Sequence, residues 1–139
     1  MQPLGAGSLA IVCVTTLNKM HTEIAIAALE AGKHVRCEKP MALTLDEARQ
    51  LQAAARRSGC RTIVGYNDLA NPIYQHAKKL VHEGAIGRPV HFRGFVHEDY
   101  QADPETAWTW RAIRADAGLG ALGDLGCHLV SLMQGLMGP

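Results

Sequence analysis

The chain has 139 residues, the length of one domain, and a 47% hydrophobic content able to build a core. Its 19% of charged residues argue against a disordered chain. A formal charge of +1, with Arg56-Arg57 and Lys78-Lys79 read as solvated helix faces, gives no electrostatic ground for nucleic acid or an anionic membrane as partner.

The first residues, Met1-Gln-Pro-Leu-Gly5, lack the basic-then-apolar order of a signal peptide. No run approaches the roughly 20 apolar residues of a membrane span. Gly5-Ala-Gly7-Ser-Leu-Ala10 fits the letters of a dinucleotide fingerprint, but a strand follows it instead of preceding it, so a turn-forming N-terminus is the better reading. Ile11-Val-Cys-Val-Thr-Thr16 is a β-branched run suited to a strand covered on both faces. From about residue 20 to 31, Ile24, Ala27, Ala28 and Ala31 recur with a helical period, and Gly32 supplies a left-handed stop. His34-Val-Arg-Cys37 is a second strand. Thr44-Leu-Asp-Glu47 is a capping box opening a helix to about Ser58, and Arg61-Thr-Ile-Val-Gly65 is a third strand.

Strand and helix alternating with short connections predict right-handed βαβ units and a parallel sheet. Such sheets bind ligands at the carboxyl ends of their strands, where Thr15-Thr16, Glu38-Lys39 and Tyr66-Asn67 fall. Beyond residue 68 the pattern changes. Asn71-Pro72 caps a helix carrying Ile73, Ala77, Leu80 and Val81 on one face, with Gly84 as its stop. Val90 to Val96 alternates loosely and reads as a strand. Residues 98–117 look like an irregular, substrate-facing loop, and a last helix is expected from Ala121 to Met137.

Two signals carry chemistry: Glu38-Lys39-Pro40 and Asp124-Leu-Gly-Cys-His128. A lysine, a carboxylate and an imidazole can manage one proton while a hydride moves. Asp124 and His128 are four apart and would share a helix face; taken alone, such a pair is more often a local helix contact. The four cysteines, Cys13, Cys37, Cys60 and Cys127, have no paired spacing, which suggests free thiols in a reducing cytoplasm. His34, His76, His82, His91 and His97 show no ligand spacing, and no metal is expected.

In order and interval, several segments together resemble the Gfo/Idh/MocA family of NAD(P)-dependent oxidoreductases. They are Ile11 to Asn18 with His21, Ala28 to Val35, Glu38-Lys39-Pro40, Gly65-Tyr-Asn67, Asn71-Pro72, Glu83 to Gly87, Trp110-Arg111 and Gly120 to His128. The resemblance implies an α/β chain: the C-terminal half of a Rossmann-type parallel sheet (1–67), then the start of an α+β substrate domain (68–139). Family members carry a glycine-rich phosphate loop upstream and an open sheet downstream, so the chain resembles the middle of such an enzyme and is expected to be inactive alone. The resemblance further implies Lys39, Asp124 and His128 as catalytic residues. His128 would be the general base in oxidation, and Asp124 would orient the substrate hydroxyl or support His128. Thr15, Thr16, Asn18, His21, Glu38, Lys39, Asn67, Trp110 and Arg111 would lie against NAD or NADP. Asn18 also fits a helix cap, Trp110 a core position and Arg111 the surface. The implied substrate is a sugar, inositol or related polyol, and the full-length parent would be a homo-oligomer. Asp68, where many relatives have a basic residue, and Ser131, where an acidic one is common, depart from the pattern. The rival reading is a non-catalytic remnant acting only through association with partner chains.

Overall fold

The computed structural model describes residues 9–138, so the Gly5-Ala-Gly7 motif lies outside the described residues. Three parallel strands, β1 (Ile11–Val14), β2 (His34–Cys37) and β3 (Thr62–Val64), lie side by side in that order, with Val14 opposite Cys37 and Cys37 opposite Val64. Helices α1 (His21–Glu30) and α2 (Leu45–Ser58) make the crossovers. Both crossovers step the same way along the sheet, so right-handed connections put both helices on one face. The core lies there: Val14, Val35 and Cys37 from the strands meet Ala25, Ala28 and Leu29 of α1 and Leu51 and Ala54 of α2.

Covering of both sheet faces is corrected by this arrangement. Ile11 is 53% and Ile63 65% exposed on the second face, because neither crossover helix lies there. Local signals are realised as expected. Thr44 and Glu47 form the reciprocal capping box, and Gly59 ends α2 at φ +65°. Burial, with a smaller contribution from the Glu38 charge, pushes the Cys37 thiol up to about 11. Thiol reagents therefore label Cys37 in the native protein far more slowly than after denaturation, as counted by mass spectrometry; equal rates would contradict its burial.

After β3 a 3₁₀ turn, Asn67–Ala70, leads to α3 (Pro72–His82), where Asn71 Oδ1 accepts from the Ile73 amide at 2.9 Å. Tyr74 of α3 donates to the Leu132 carbonyl at 3.1 Å and so docks α3 on α5 (Cys127–Met137). The expected strand over Val90–Val96 does not form: no strand among the described residues lies beside it to complete a ladder. Residues 98–109 are irregular, followed by a 3₁₀ turn (Trp110–Ala112) and the short α4 (Arg114–Ala117). The last helix is not uniform, since Leu122–Gly126 forms a π-helical turn that runs into α5.

Long-range contacts fasten this second part to the strand ends. Asn18 Nδ2 donates to the Ala117 carbonyl at 3.0 Å, and Lys19 pairs with Asp116. Gly118 has φ +82°, and a Cβ there would meet Leu43 Cδ2 at 2.6 Å, so glycine allows the close approach.

Candidate active site

Lys39 leaves the end of β2 one residue before Pro40, across a cis peptide bond. Its ammonium donates to Asp124 Oδ1 at 2.7 Å and to the Asp124 carbonyl at 2.6 Å, a pairing in which both side chains are only 17% exposed. The other carboxylate oxygen accepts from the Tyr100 hydroxyl at 2.9 Å, and Arg111 Nε approaches it at 3.5 Å. Arg111 in turn lies over the Trp110 ring, 4.6 Å from its centroid. Asp124 is thus a hub joining a strand end, the irregular loop, a 3₁₀ turn and the last helix.

Burial pushes the Asp124 carboxyl up, but hydrogen bonds from Lys39 and Tyr100 and the charges of Lys39 and Arg111 outweigh it. The group is held below its ordinary value of 3.8. A carboxylate lowered in the folded state stabilises the fold in full above the ordinary value and loses that contribution as pH falls through its lower native value. Urea midpoints followed downward from neutral pH should therefore drop more steeply below about pH 4 in the unaltered chain than in Asp124→Asn. Parallel curves would contradict the pairing.

Asp124 and His128 each have their own partners: Asp124 takes Lys39 and Tyr100, and His128 lies beside Asp68. The chain between them makes a π turn, closed by an i→i+5 bond from the Cys127 amide to the Leu122 carbonyl. The carboxylate beside His128 is Asp68, with Oδ2 2.9 Å from His128 Nδ1. The two atoms are close, but the contact is not an aligned hydrogen bond, since Nδ1 is buried with no partner in good geometry. The Tyr66 ring meets the His128 ring edge-on, centroids 6.0 Å apart. Cys127 donates to the Gly123 carbonyl at 2.9 Å; burial raises its thiol despite the nearby Lys39 charge, which leaves it protonated and unsuited to act as a nucleophile. Hydrogen bonding to Asp124 raises Tyr100, so it stays a donor.

The other expected site residues divide into two groups. Thr15, Thr16 and Asn67 are exposed at the carboxyl ends of β1 and β3. Asn18 and His21 are buried, 6% and 1% exposed, and are engaged within the fold. Asn18 makes no helix-cap bond and holds Ala117 instead. His21 Nδ1 lies 2.8 Å from the Pro40 carbonyl and Nε2 3.1 Å from the Thr16 carbonyl, clamping the turns after β1 and β2 together. Glu38 pairs with Arg36 at 2.9 Å and lies against Gly65, where a Cβ would come within 2.8 Å of its carboxylate. Tyr100 and Asp68 are partners that residue patterns did not single out. The first sits beside the acidic Glu98-Asp99 pair, and the second stood out only as a departure from a resemblance.

Comparison with known proteins gives consistent results. Residues 4–66 match a family model described as an oxidoreductase family with an NAD-binding Rossmann fold. Residues 74–139 match the GFO/IDH/MocA C-terminal domain. Levoglucosan dehydrogenase of Pseudarthrobacter phenanthrenivorans is 42% identical over 128 residues, covering 92% of this chain and 33% of that protein. The NADP(+)-linked scyllo-inositol 2-dehydrogenase IolW of Bacillus subtilis is 33% identical over 131 residues, covering 94% and 36%. A levoglucosan dehydrogenase structure in complex with NADH and levoglucosan superposes with a TM-score of 0.89 at 42% identity, covering 93% of this chain and 35% of that one. The chain spans about a third of the length of the curated relatives it matches.

Proposed function

This chain belongs to the Gfo/Idh/MocA family of oxidoreductases, and from that premise we propose that it supplies the chemical part of a polyol dehydrogenase site. The reaction is reversible hydride transfer between NAD or NADP and a secondary alcohol of a sugar, inositol or related polyol. One observation carries the reading: Lys39 at a strand end is locked to Asp124, on the turn that enters the helix bearing His128. Residues far apart in sequence are thereby joined where parallel sheets bind their ligands.

The groups present fit the nicotinamide end of the cofactor. Exposed hydroxyls and an amide at Thr15, Thr16 and Asn67 rim the strand ends, next to the lysine. Trp110 and Arg111 flank the same site, while Asn18, His21 and Glu38 act from behind by shaping the turns. When bound, a nicotinamide supplies the hydride acceptor in oxidation and the donor in reduction. Lys39 has three N–H donors and commits two to Asp124, which leaves one for the substrate oxygen. Its charge stabilises the alkoxide that develops there. His128 takes the hydroxyl proton in oxidation and returns it in reduction. Asp124 fixes the ammonium and, with Tyr100 and Arg111, sets the polar wall that orients the substrate hydroxyls. The four free cysteines agree with a reducing, cytoplasmic setting. Residues 1–67 serve the cofactor side and 68–139 the substrate side.

The exposed apolar sheet face at Ile11 and Ile63 favours a second reading, a non-catalytic segment that acts by association. Titration calorimetry with NADH and NADPH, paired with turnover of the full-length protein on a polyol panel, separates the two. Saturable heat with one cofactor and production of the reduced cofactor support the dehydrogenase. Absence of both overturns it.

A further inference from the structure

Resting on the reading of His128 as the proton-handling group, the geometry points to Asp68 as its positioning residue. Asp68 follows β3 on the Asn67–Ala70 turn and places Oδ2 2.9 Å from His128 Nδ1. That nitrogen is otherwise an unpartnered, buried polar atom. A neutral imidazole carries one N–H and one lone pair. A lone pair on Nδ1 would lie within 2.9 Å of a carboxylate oxygen, and two electron-rich atoms that close repel each other even when out of line. Nδ1 therefore holds the hydrogen. The carboxylate is 46% exposed on the side chain, free enough to swing into line with it.

The consequence is chemical. With Nδ1–H held by Asp68, the lone pair lies on Nε2, which becomes the atom that accepts the substrate proton. In oxidation the alcohol O–H bond breaks, its proton forms the new Nε2–H bond, and the carbon hydride leaves to the cofactor, giving the carbonyl. The imidazolium formed sits beside an anionic Asp68, which stabilises it without taking a proton. The groups around the ring agree with this assignment. Tyr66 meets the imidazole edge-on, Cys127 is a protonated thiol on the same helix, and Asp124 is committed to Lys39, Tyr100 and Arg111. Ser131 Oγ, one turn on, donates to the His128 carbonyl at 2.7 Å and leaves the ring to Asp68.

Nitrogen NMR of the histidine rings tests this with protein held at about pH 8.5, roughly two units above the ordinary imidazole value. His128 should report the Nδ1–H tautomer, and Asp68→Ala should move it to the Nε2–H form that predominates for histidine in water. In turnover, Asp68→Asn should lower kcat by about tenfold or more while KM for a neutral polyol changes little, and Asp68→Glu should restore part of the loss. An Nε2–H tautomer in the unaltered protein, or an unchanged tautomer in Asp68→Ala, overturns the inference. If Asp68→Ala fails to fold, the tautomers of the unaltered protein and of Asp68→Glu decide it. The ring signal needs no cofactor, so failure of the hydride-transfer reading would appear separately, as absent turnover with the tautomer intact.

Discussion

Replacing Lys39 by alanine in the full-length protein lowers kcat by about two orders of magnitude or more, the scale at which positioned proton and charge groups act. The ammonium is mostly shielded from water and makes two short bonds to one residue, so it cannot drift and meets the developing alkoxide already oriented. Alanine removes that charge and also leaves Asp124 with only Tyr100 and Arg111. A partly buried carboxylate stripped of its main cation costs about 1–3 kcal/mol in stability. Urea unfolding and steady-state kinetics on the same preparation separate the two effects. Arginine does not restore full activity, because its longer, planar guanidinium cannot take the place of a compact ammonium held between Asp124 Oδ1, the Asp124 carbonyl and the substrate oxygen. Near-normal turnover in Lys39→Ala would remove the residue from the mechanism.

His128→Ala gives a loss of similar size by a different route. Here the proton acceptor disappears while Lys39, Asp124 and the exposed strand-end groups stay in place, so cofactor affinity should hold while kcat collapses. Added imidazole should recover part of the rate, since the vacated space beside Tyr66 and Asp68 can admit the missing ring. A variant that loses cofactor binding together with turnover, with no recovery by imidazole, would show that the ring supports the fold instead of the reaction.

Signals confined to a few neighbouring residues were legible in the sequence. Thr44 with Glu47, Gly59 after α2, Asn71-Pro72 and the strand ends at Thr15, Lys39 and Asn67 each depend on chemistry within one turn. What depended on tertiary placement was less so. Val90 to Val96 has the alternation of a strand, but alternation without a neighbour makes no ladder. The spacing of Asp124 and His128 did not disclose the π turn between them, nor that Asp124 pairs with Lys39 while His128 lies beside Asp68. Gly123 and Gly126 in that turn hint at an irregular backbone, but glycines suit close packing equally well. Tyr100 and Asp68 reach the site from a loop and a 3₁₀ turn, where no periodicity points at a partner.

A crystal structure of the full-length protein with reduced cofactor and a bound polyol is the most direct measurement of whether Lys39 and His128 serve one reacting centre. The expected result is a single substrate oxygen within about 2.6–3.2 Å of both Lys39 Nζ and His128 Nε2. A polyol bound beside the strand ends with its reacting oxygen out of reach of either nitrogen would contradict the account.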